Sequence, residues 1–359
     1  MSIAIWPPIA PGELKIAVET TQKREIDWFV QELHETLSNL QHGLEDCYAL
    51  LAPIDPGSTL VLSTPRHEFV KGHITRVGTR IVKGTIHLRL RTLPHQTLTI
   101  NPDHPIHLGP LMSLHSLLTH AIDLLGLTLS YSYPSSTTAT YTSVNTRLAR
   151  APESSADAVS SPHFLAAQLR LLAQTLSEAS ALLKGPPLAV ADPSWTTRSV
   201  APSHFVPPLP QPHGSPTPPL SFHLAIQDSS LVLWLRSLEP ADAPVHFGTK
   251  LALAIGTARR LEHDEADRVF GFCCSPGGDS DKGAAAPSSA SLRSGCSGQI
   301  GGHGGREVEV YVREKVRVES ADPSLLSLSA KLAALSHTLG LARRNLAAVM
   351  GEEGELGEY

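Results

Sequence analysis

Histidine and cysteine are the residue types in this sequence that most readily support metal binding or catalysis. The chain has 18 His and 4 Cys. His104 and His107 are separated by two residues in a proline-rich corner that offers no further ligand, so the pattern favours a polar corner over a metal site. Cys273 and Cys274 are adjacent and lack the two-residue spacer of zinc and redox motifs, and Cys296 is isolated. We therefore predict structural thiols, no metal and no cofactor.

Glycine-rich and acidic segments were the remaining candidates for chemistry. Gly277-Gly278-Asp279 and residues 301–305 are rich in glycine, but neither lies between a strand and a helix, as a phosphate-binding loop does. The sequence contains no Gly-x-Ser-x-Gly nucleophile motif. Glu32 and Glu35 fall on a helix face where charge is expected anyway. Because no nucleophile, base and orienting group come together, we predict that the chain is not an enzyme.

Composition narrows the class of protein further. Of the 359 residues, 41% are hydrophobic, enough for a sizeable core, and the formal net charge of −5 argues against a nucleic-acid partner. No run reaches the roughly 20 consecutive apolar residues of a membrane span, so we predict no direct membrane insertion. The first residues lack the basic leader of a signal peptide, and the low cysteine content is typical of a reducing compartment. We expect a cytoplasmic protein.

Two predicted helices with heptad spacing of their apolar residues are the clearest elements that could position a functional residue. From Arg24 to Leu51 the apolar residues alternate in steps of four and three, which is the spacing of a coiled-coil seam. The seam consists of Ile26, Val30, Leu33, Leu37, Leu40, Leu44, Cys47 and Leu51. The last helix starts at Asp322-Pro323, a favourable N-cap and first helical residue. Its seam consists of Leu325, Leu328, Leu332, Leu335, Leu339, Ala342, Leu346 and Val349.

Two further helices, Leu111 to Leu127 and His163 to Lys184, carry similar apolar stripes. Such a stripe must be buried, because each Å² of apolar surface left in water costs roughly 25 cal/mol. The spacing therefore predicts an antiparallel helical bundle that contains both chain ends. Pairing of the same stripes with another chain stays open as the alternative.

The segments between these helices have the period of two that is typical of strands. We predict an antiparallel meander from Thr59 to Ile100 and a hairpin from Leu220 to Leu238 that turns at Asp228-Ser229-Ser230. A further amphipathic strand is predicted from Arg306 to Glu319. These segments predict an antiparallel β domain separate from the bundle.

The predicted fold class is therefore α+β. The predicted organisation is a first helix of the α domain (13–53), the first part of the β domain (57–101), α-domain helices with a flexible Ser/Thr loop (108–185), a Pro-rich linker (186–219), the second part of the β domain with a disordered insert at 275–305 (220–319), and a C-terminal helix of the α domain (322–351).

Five segments, taken in order, carry a family resemblance. They are Arg24 to Val30 with Glu32-Leu33-His34 and Leu37, Phe69 to Gly72 with Ile74, His120 to Leu125, Pro219 to Leu238, and the final leucine-rich helix. Over about two thirds of the chain they resemble the Rogdi leucine-zipper family, which includes the fungal second subunit of the regulator of the vacuolar-type ATPase (RAVE) complex. The Pro-rich linker, the Ser/Thr loop and the Gly/Ser insert depart from this pattern.

The resemblance implies a protein–protein interaction scaffold without catalysis. Its implied partners are a large β-propeller subunit and a small ubiquitin-ligase adaptor of the same complex, together with the peripheral sector of the vacuolar-type ATPase. The complex would promote reassembly of this proton pump, and hence vacuolar acidification, from the cytoplasm after peripheral recruitment to vacuolar or endosomal membranes. The alternative hypotheses are a generic coiled-coil adaptor that homodimerises through its heptad helices and, least favoured, a metal-dependent enzyme that uses the histidines.

Overall fold

A computed structural model describes residues 10–51, 57–65, 68–132, 162–186, 193–210, 218–241, 263–274 and 306–351. Within these ranges the fold is α+β, with five α-helices and two antiparallel sheets. The helices are α1 (Pro11–Leu51), α2 (Gly109–Ser132), α3 (Pro162–Lys184), α4 (Trp195–Arg198) and α5 (Pro323–Met350). The strands are β1 (Ser58–Ser63), β2 (Val70–Val77), β3 (Arg80–Leu88), β4 (Gln96–Ile100), β5 (Ile106–His107), β6 (Phe205–Val206), β7 (Leu220–Gln227), β8 (Ser230–Pro240), β9 (Val269–Cys274) and β10 (Arg306–Ala321).

The contacts of the chain divide it into two compact units. Unit 1 comprises Met1–Leu51, Ser113–Leu182 and Ser327–Tyr359, and unit 2 comprises Ala52–Met112 and Leu183–Leu326. Unit 1 therefore holds α1 and most of α2, α3 and α5. Unit 2 holds both sheets and α4.

Sheet A contains β1 to β6, in the order β1-β2-β3-β4-β6 with β5 also paired to β3. Its first four strands follow one another in space as they do in sequence, so the predicted meander is confirmed. The β2–β3 turn contains Gly78 with a φ of 59°, a left-handed conformation that glycine adopts without a steric cost.

Sheet B has the order β7-β8-β10-β9. The predicted hairpin is confirmed as β7 and β8, and its two turn residues, Asp228 and Ser229, have φ values of 45° and 61°. Two positive φ angles match the right-handed twist of the flanking strands. The amides of these residues donate to the carbonyls of Lys184 (3.0 Å) and Leu183 (2.8 Å), so the turn also satisfies the last carbonyls of α3.

The Pro-rich segment 186–219 is not simply an extended linker, and that prediction was wrong. Its described residues form α4, a short 3-10 helix and β6, and they place Trp195 (1% exposed), Phe205 (2%) and Leu209 (4%) in the core of unit 2. The Phe205 and Phe222 rings lie 4.8 Å apart, and the Val200 amide donates to the Phe222 carbonyl. Proline is tolerated at the edge of a sheet because an edge segment needs few backbone amide donors. The buried side chains of Trp195, Phe205 and Leu209 hold this segment against the core.

The start of α5 agrees with the predicted N-cap. The carboxylate of Asp322 accepts a hydrogen bond of 3.0 Å from the Ser324 amide, and its carbonyl accepts one from Leu326. Asp322 and Arg76 are both fully buried, and Arg76 Nε donates to Asp322 Oδ2 at 2.6 Å. This ion pair fixes the start of α5 to β2.

Two predicted segments fall outside the described residues. They are the Gly/Ser insert at 275–305 and the Ser/Thr loop beyond the end of α2 at Ser132.

Candidate interaction site

The predicted heptad positions of α1 are buried in its C-terminal half. Those exposed by 2% or less are Leu33, Leu37, Leu40, Leu44, Cys47 and Leu51. Ile26 and Val30, nearer the N-terminus, are only half-buried. The seam thus faces the interior of the same chain from Leu33 onward.

The heptad positions of α5 show a similar pattern. Those exposed by 1% or less are Leu325, Leu328, Leu332, Leu339 and Leu346, whereas Leu335 is half-buried. Leu325 belongs to unit 2 and the other five positions to unit 1.

Helices α1 and α5 are in contact within unit 1 and run in opposite directions. Lys331 Nζ donates to Asp46 Oδ2 at 2.8 Å. One turn away, Gly43 lies against the side chain of Leu335, and a Cβ at this glycine would be 2.5 Å from Leu335 Cδ2. From the first contact to the second, the residue number falls along α1 and rises along α5, so the two helices are antiparallel. Because Gly43 has no side chain, the helices can approach closely at this point.

Three groups at this contact have shifted pKa values. The hydrogen bond from Lys331 lowers the pKa of Asp46 and raises the pKa of Lys331. Burial raises the pKa of the adjacent Cys47 thiol to about 11. The ion pair is exposed and contributes little to stability, and the raised thiol pKa is that of an unreactive structural cysteine.

Helix α2 also contacts α1 in an antiparallel sense. The Tyr48 hydroxyl is 3.0 Å from His115 Nε2, and their rings are 4.9 Å apart. Farther along, Gly126 lies next to the side chain of Gln41.

The N-terminal part of α1 is different, because residues 10–25 are all exposed. Leu14 is 51% exposed, Val18 57% and Trp28 65%. An open groove lies where this part of α1 meets the end of α5, and we name it the α1–α5 groove. Its lining residues are Ala17, Val18, Thr21, Gln22, Glu25, Ala348, Val349 and Gly351.

A second cluster, which the sequence did not predict, lies on sheet B. We name it the Trp234 cluster, and it consists of Trp195, Trp234, Arg236, Glu265, Lys315 and Arg317. Trp234 is opposite Arg317 in the β8–β10 register, and Arg236 is opposite Lys315, so the period of two places these four side chains on one face. The Trp234 ring centre is 4.8 Å from Lys315 Nζ, 5.4 Å from the Arg236 guanidinium and 5.8 Å from that of Arg317. These distances are within the range of cation–π attraction.

The turn before β9 supplies the carboxylates of this cluster. Glu265 accepts two hydrogen bonds from Arg236, at 2.7 and 3.0 Å, and pairs with Lys315 at 2.7 Å. Burial by itself raises the pKa of Glu265, but the hydrogen bonds from Arg236 and Lys315 outweigh it and hold the pKa below its usual value. The hydrogen bond from Lys315 likewise lowers the pKa of Asp264.

Arg317 makes fewer short polar contacts than the other cations of the cluster. Its Nη2 pairs with Glu319 Oε2 at 2.9 Å and lies 3.5 Å from Gln227 Oε1. Its Nε is buried and has no hydrogen-bond partner among the described residues. The alternation of Lys315 and Arg317 along β10 was visible in the sequence, but its aromatic neighbour on β8 required knowledge of the pairing.

The candidate metal-ligating residues do not come together. The His104 carbonyl is the partner of His204 Nδ1 at 2.9 Å, and His107 lies in β5. Cys273 is half-buried in β9, and Cys296 lies outside the described ranges. In the described part of the chain, no group of three or more His, Cys, Asp or Glu side chains is placed to hold a metal ion.

Helix α5 is long and apolar enough to cross a membrane by length and composition alone, because an 18-residue window within it has a mean hydropathy of 1.3. Core helices of soluble proteins pass the same criterion, so this is weak evidence for a span.

In the described residues the chain has an α+β fold, and its first and last long helices carry apolar seams with heptad spacing. Comparison with models of known protein families shows that residues 25–347 match the family described as Rogdi leucine zipper containing protein. Because this match spans most of the chain, the chain belongs to that family. No curated protein matches the sequence.

Proposed function

We propose that the chain is a non-enzymatic scaffold subunit of a complex that promotes assembly and reassembly of the vacuolar-type proton-pumping ATPase. The observation that supports this most is membership of the Rogdi family over residues 25–347. In this proposal the partners are a large β-propeller subunit, a small ubiquitin-ligase adaptor and the peripheral sector of the ATPase. The protein acts from the cytoplasm and is recruited peripherally to vacuolar or endosomal membranes.

The proposal includes an antiparallel helical bundle, built from α1, α2, α3 and α5, that contains both chain ends. Support comes from the antiparallel contacts of α1 with α5 and with α2, and from the buried leucine seams. Such a bundle would give a rigid support for binding surfaces, since its seams leave the other helix faces available.

The test is affinity purification of the tagged full-length chain from cells that lack their own copy. Quantitative mass spectrometry should recover the β-propeller subunit, the ubiquitin-ligase adaptor and peripheral-sector ATPase subunits. Cells without the gene should have less acidic vacuoles, measured with a ratiometric pH dye. Recovery of none of these subunits, together with unchanged vacuolar pH, contradicts the proposal.

A homodimerising adaptor is the second candidate. The exposed apolar residues Leu14, Val18 and Trp28 of α1 favour it, because this part of the helix is left uncovered. Light scattering of the purified chain tests this second candidate. A dimer has twice the monomer mass of 38.4 kDa, and a monomer mass at every protein concentration rules the homodimer out.

A further inference from the structure

The outer face of sheet A carries exposed cations that are not paired with any carboxylate of the described residues. We propose that this face binds the anionic phospholipid headgroups of a membrane surface. We name it the basic face of sheet A, and it consists of Lys71, His73, Lys83, His87, Arg89 and Arg91. The inference rests on one part of the proposed function, peripheral recruitment to a membrane, and assigns that recruitment to a particular surface.

The strand register places side chains from neighbouring strands on this one face. Lys71 is opposite His87 in the β2–β3 pair, and His73 is opposite Thr85. Side chains that are directly opposite one another in an antiparallel pair project to the same side of the sheet. The cations of β2 and β3 therefore lie side by side.

The same face continues along β3 and past its end, where exposed and core residues alternate. The exposed positions are Lys83, His87, Arg89 and Arg91. The positions between them that are exposed by 3% or less are Ile86, Leu88 and Leu90. Because the apolar side chains are held in the core, the basic ones are directed to solvent.

The positive charge of this face is not balanced by nearby acids. In the part of the chain that the structure describes, no carboxylate forms an ion pair with Lys71, Lys83, Arg89 or Arg91. The cations of the Trp234 cluster, in contrast, are paired with carboxylates.

The sequence around the face is also basic. From Gly57 to His107 it contains seven Lys or Arg residues, and its acidic residues are Glu68 and Asp103. The chain as a whole has a net charge of −5. The basic face is therefore a local positive surface on an acidic protein, which directs an anionic partner to this region.

Exposed apolar residues at the two edges of the same face favour a membrane over a dissolved phosphate. Val61 on β1 is opposite His73, and Val206 on β6 is opposite Thr99, which in turn is opposite Thr85. The two valines are 65% and 54% exposed. This row crosses five strands and is roughly 20 Å wide. A membrane surface offers phosphates to the cations and an apolar boundary to the valines, whereas a dissolved phosphate offers only the charge.

The number of cations is sufficient for reversible binding. Each Lys or Arg at an anionic membrane surface strengthens binding by about fivefold, and clusters of about four or more are typical of proteins that bind such lipids. The attraction acts through water and is therefore weakened by salt.

The test is cosedimentation of the purified full-length chain with vesicles of about three parts phosphatidylcholine to one part phosphatidylserine. The chain should bind these vesicles at physiological salt, should bind pure phosphatidylcholine poorly, and should dissociate at about 1 M NaCl. The double variant Lys71→Gln with Lys83→Gln should bind about 30-fold more weakly. Lys71→Arg with Lys83→Arg keeps both charges and should bind like the wild type.

The matched control is Lys15→Gln with Lys23→Gln, which removes the same charge from exposed positions of α1. It should bind vesicles like the wild type, and thermal melts establish that every variant is folded. Equal binding of the wild type to both kinds of vesicle would overturn the proposal. Weakening by the control pair that equals or exceeds that of the sheet A pair would do the same, because it would place the membrane contact elsewhere.

Two competition results would also reject a membrane as the ligand. One is displacement from the vesicles by inorganic phosphate at the concentration of accessible lipid phosphate, and the other is tighter binding of fluorescein-labelled hexaglutamate than of vesicles at equal negative charge. The purified chain is tested without ATPase subunits. Vesicle binding can therefore fail while affinity purification recovers those subunits, and the reverse, so the two proposals are tested separately.

Discussion

Asp322→Asn is expected to destabilise unit 2 by about 3–5 kcal/mol, the usual cost of leaving one member of a buried ion pair without its partner. Arg76 and Asp322 are both 0% exposed, and Arg76 Nε is 2.6 Å from Asp322 Oδ2. Asparagine has nearly the same shape and caps a helix as well as aspartate does, so the bond to the Ser324 amide is retained. The substitution thus removes the charge and little else. The loss is large against the ~5–15 kcal/mol by which a typical protein is stable.

Urea unfolding of the full-length chain measures this loss. Near-UV circular dichroism reports on unit 2 through Trp195 and Trp234, and far-UV circular dichroism follows the helices. The control is Arg76→Met with Asp322→Asn, which removes both charges and should cost less than the sum of the two single variants. A loss under about 1 kcal/mol for Asp322→Asn, no more than an average substitution, would refute the reasoning, as would an additive cycle.

Further predictions concern packing, backbone and thiol chemistry. Leu37→Ala should cost about 2–5 kcal/mol in denaturant unfolding, because Leu37 is fully buried, whereas Leu14→Ala at 51% exposure should change stability by less than about 0.5 kcal/mol. Gly185→Ala should be more destabilising than Gly78→Ala in thermal melts: both glycines have positive φ, but a Cβ at Gly185 would collide with the Ile226 carbonyl, and one at Gly78 meets nothing within 4 Å. Cys47 should resist iodoacetamide at pH 8 in the folded chain, as mapped by mass spectrometry; labelling at the rate of the unfolded chain would contradict its burial. Because the pKa of this thiol rises on folding from 9.0 to about 11, its contribution to stability is complete below pH 9 and is lost as the pH rises toward 11.

The parts of the fold that the sequence predicted well are those with a local period. The apolar residues of the α1 seam repeat in steps of four and three. The Asp228-Ser229 turn lies between two segments in which apolar residues recur with a period of two. Each pattern is complete within a short stretch of chain, so no knowledge of distant partners is needed. The N-cap at Asp322 was predicted for the same reason.

The features that the sequence did not predict depend on partners far away in the chain, or on a few buried apolar residues within a stretch rich in proline. Asp322 pairs with Arg76, which is 246 residues away in sequence, and no pattern joins them. The Trp234 cluster needs the β8–β10 register and a carboxylate from Glu265. Trp195 lies in a proline-dense stretch whose composition indicated a linker, although its side chain is buried, as are those of Phe205 and Leu209 in the same stretch.

Both units are assembled from segments that are far apart in the chain, and this has a consequence for synthesis. Helix α5 contributes to unit 1, while β10 and Asp322 complete unit 2, so both units need segments that are made after residue 305. Neither unit can reach its final packing while the earlier segments are being made, and apolar seams such as that of α1 stay uncovered during this time. Chains truncated before residue 306 should therefore yield no intact half of the protein and should depend on chaperones or be degraded.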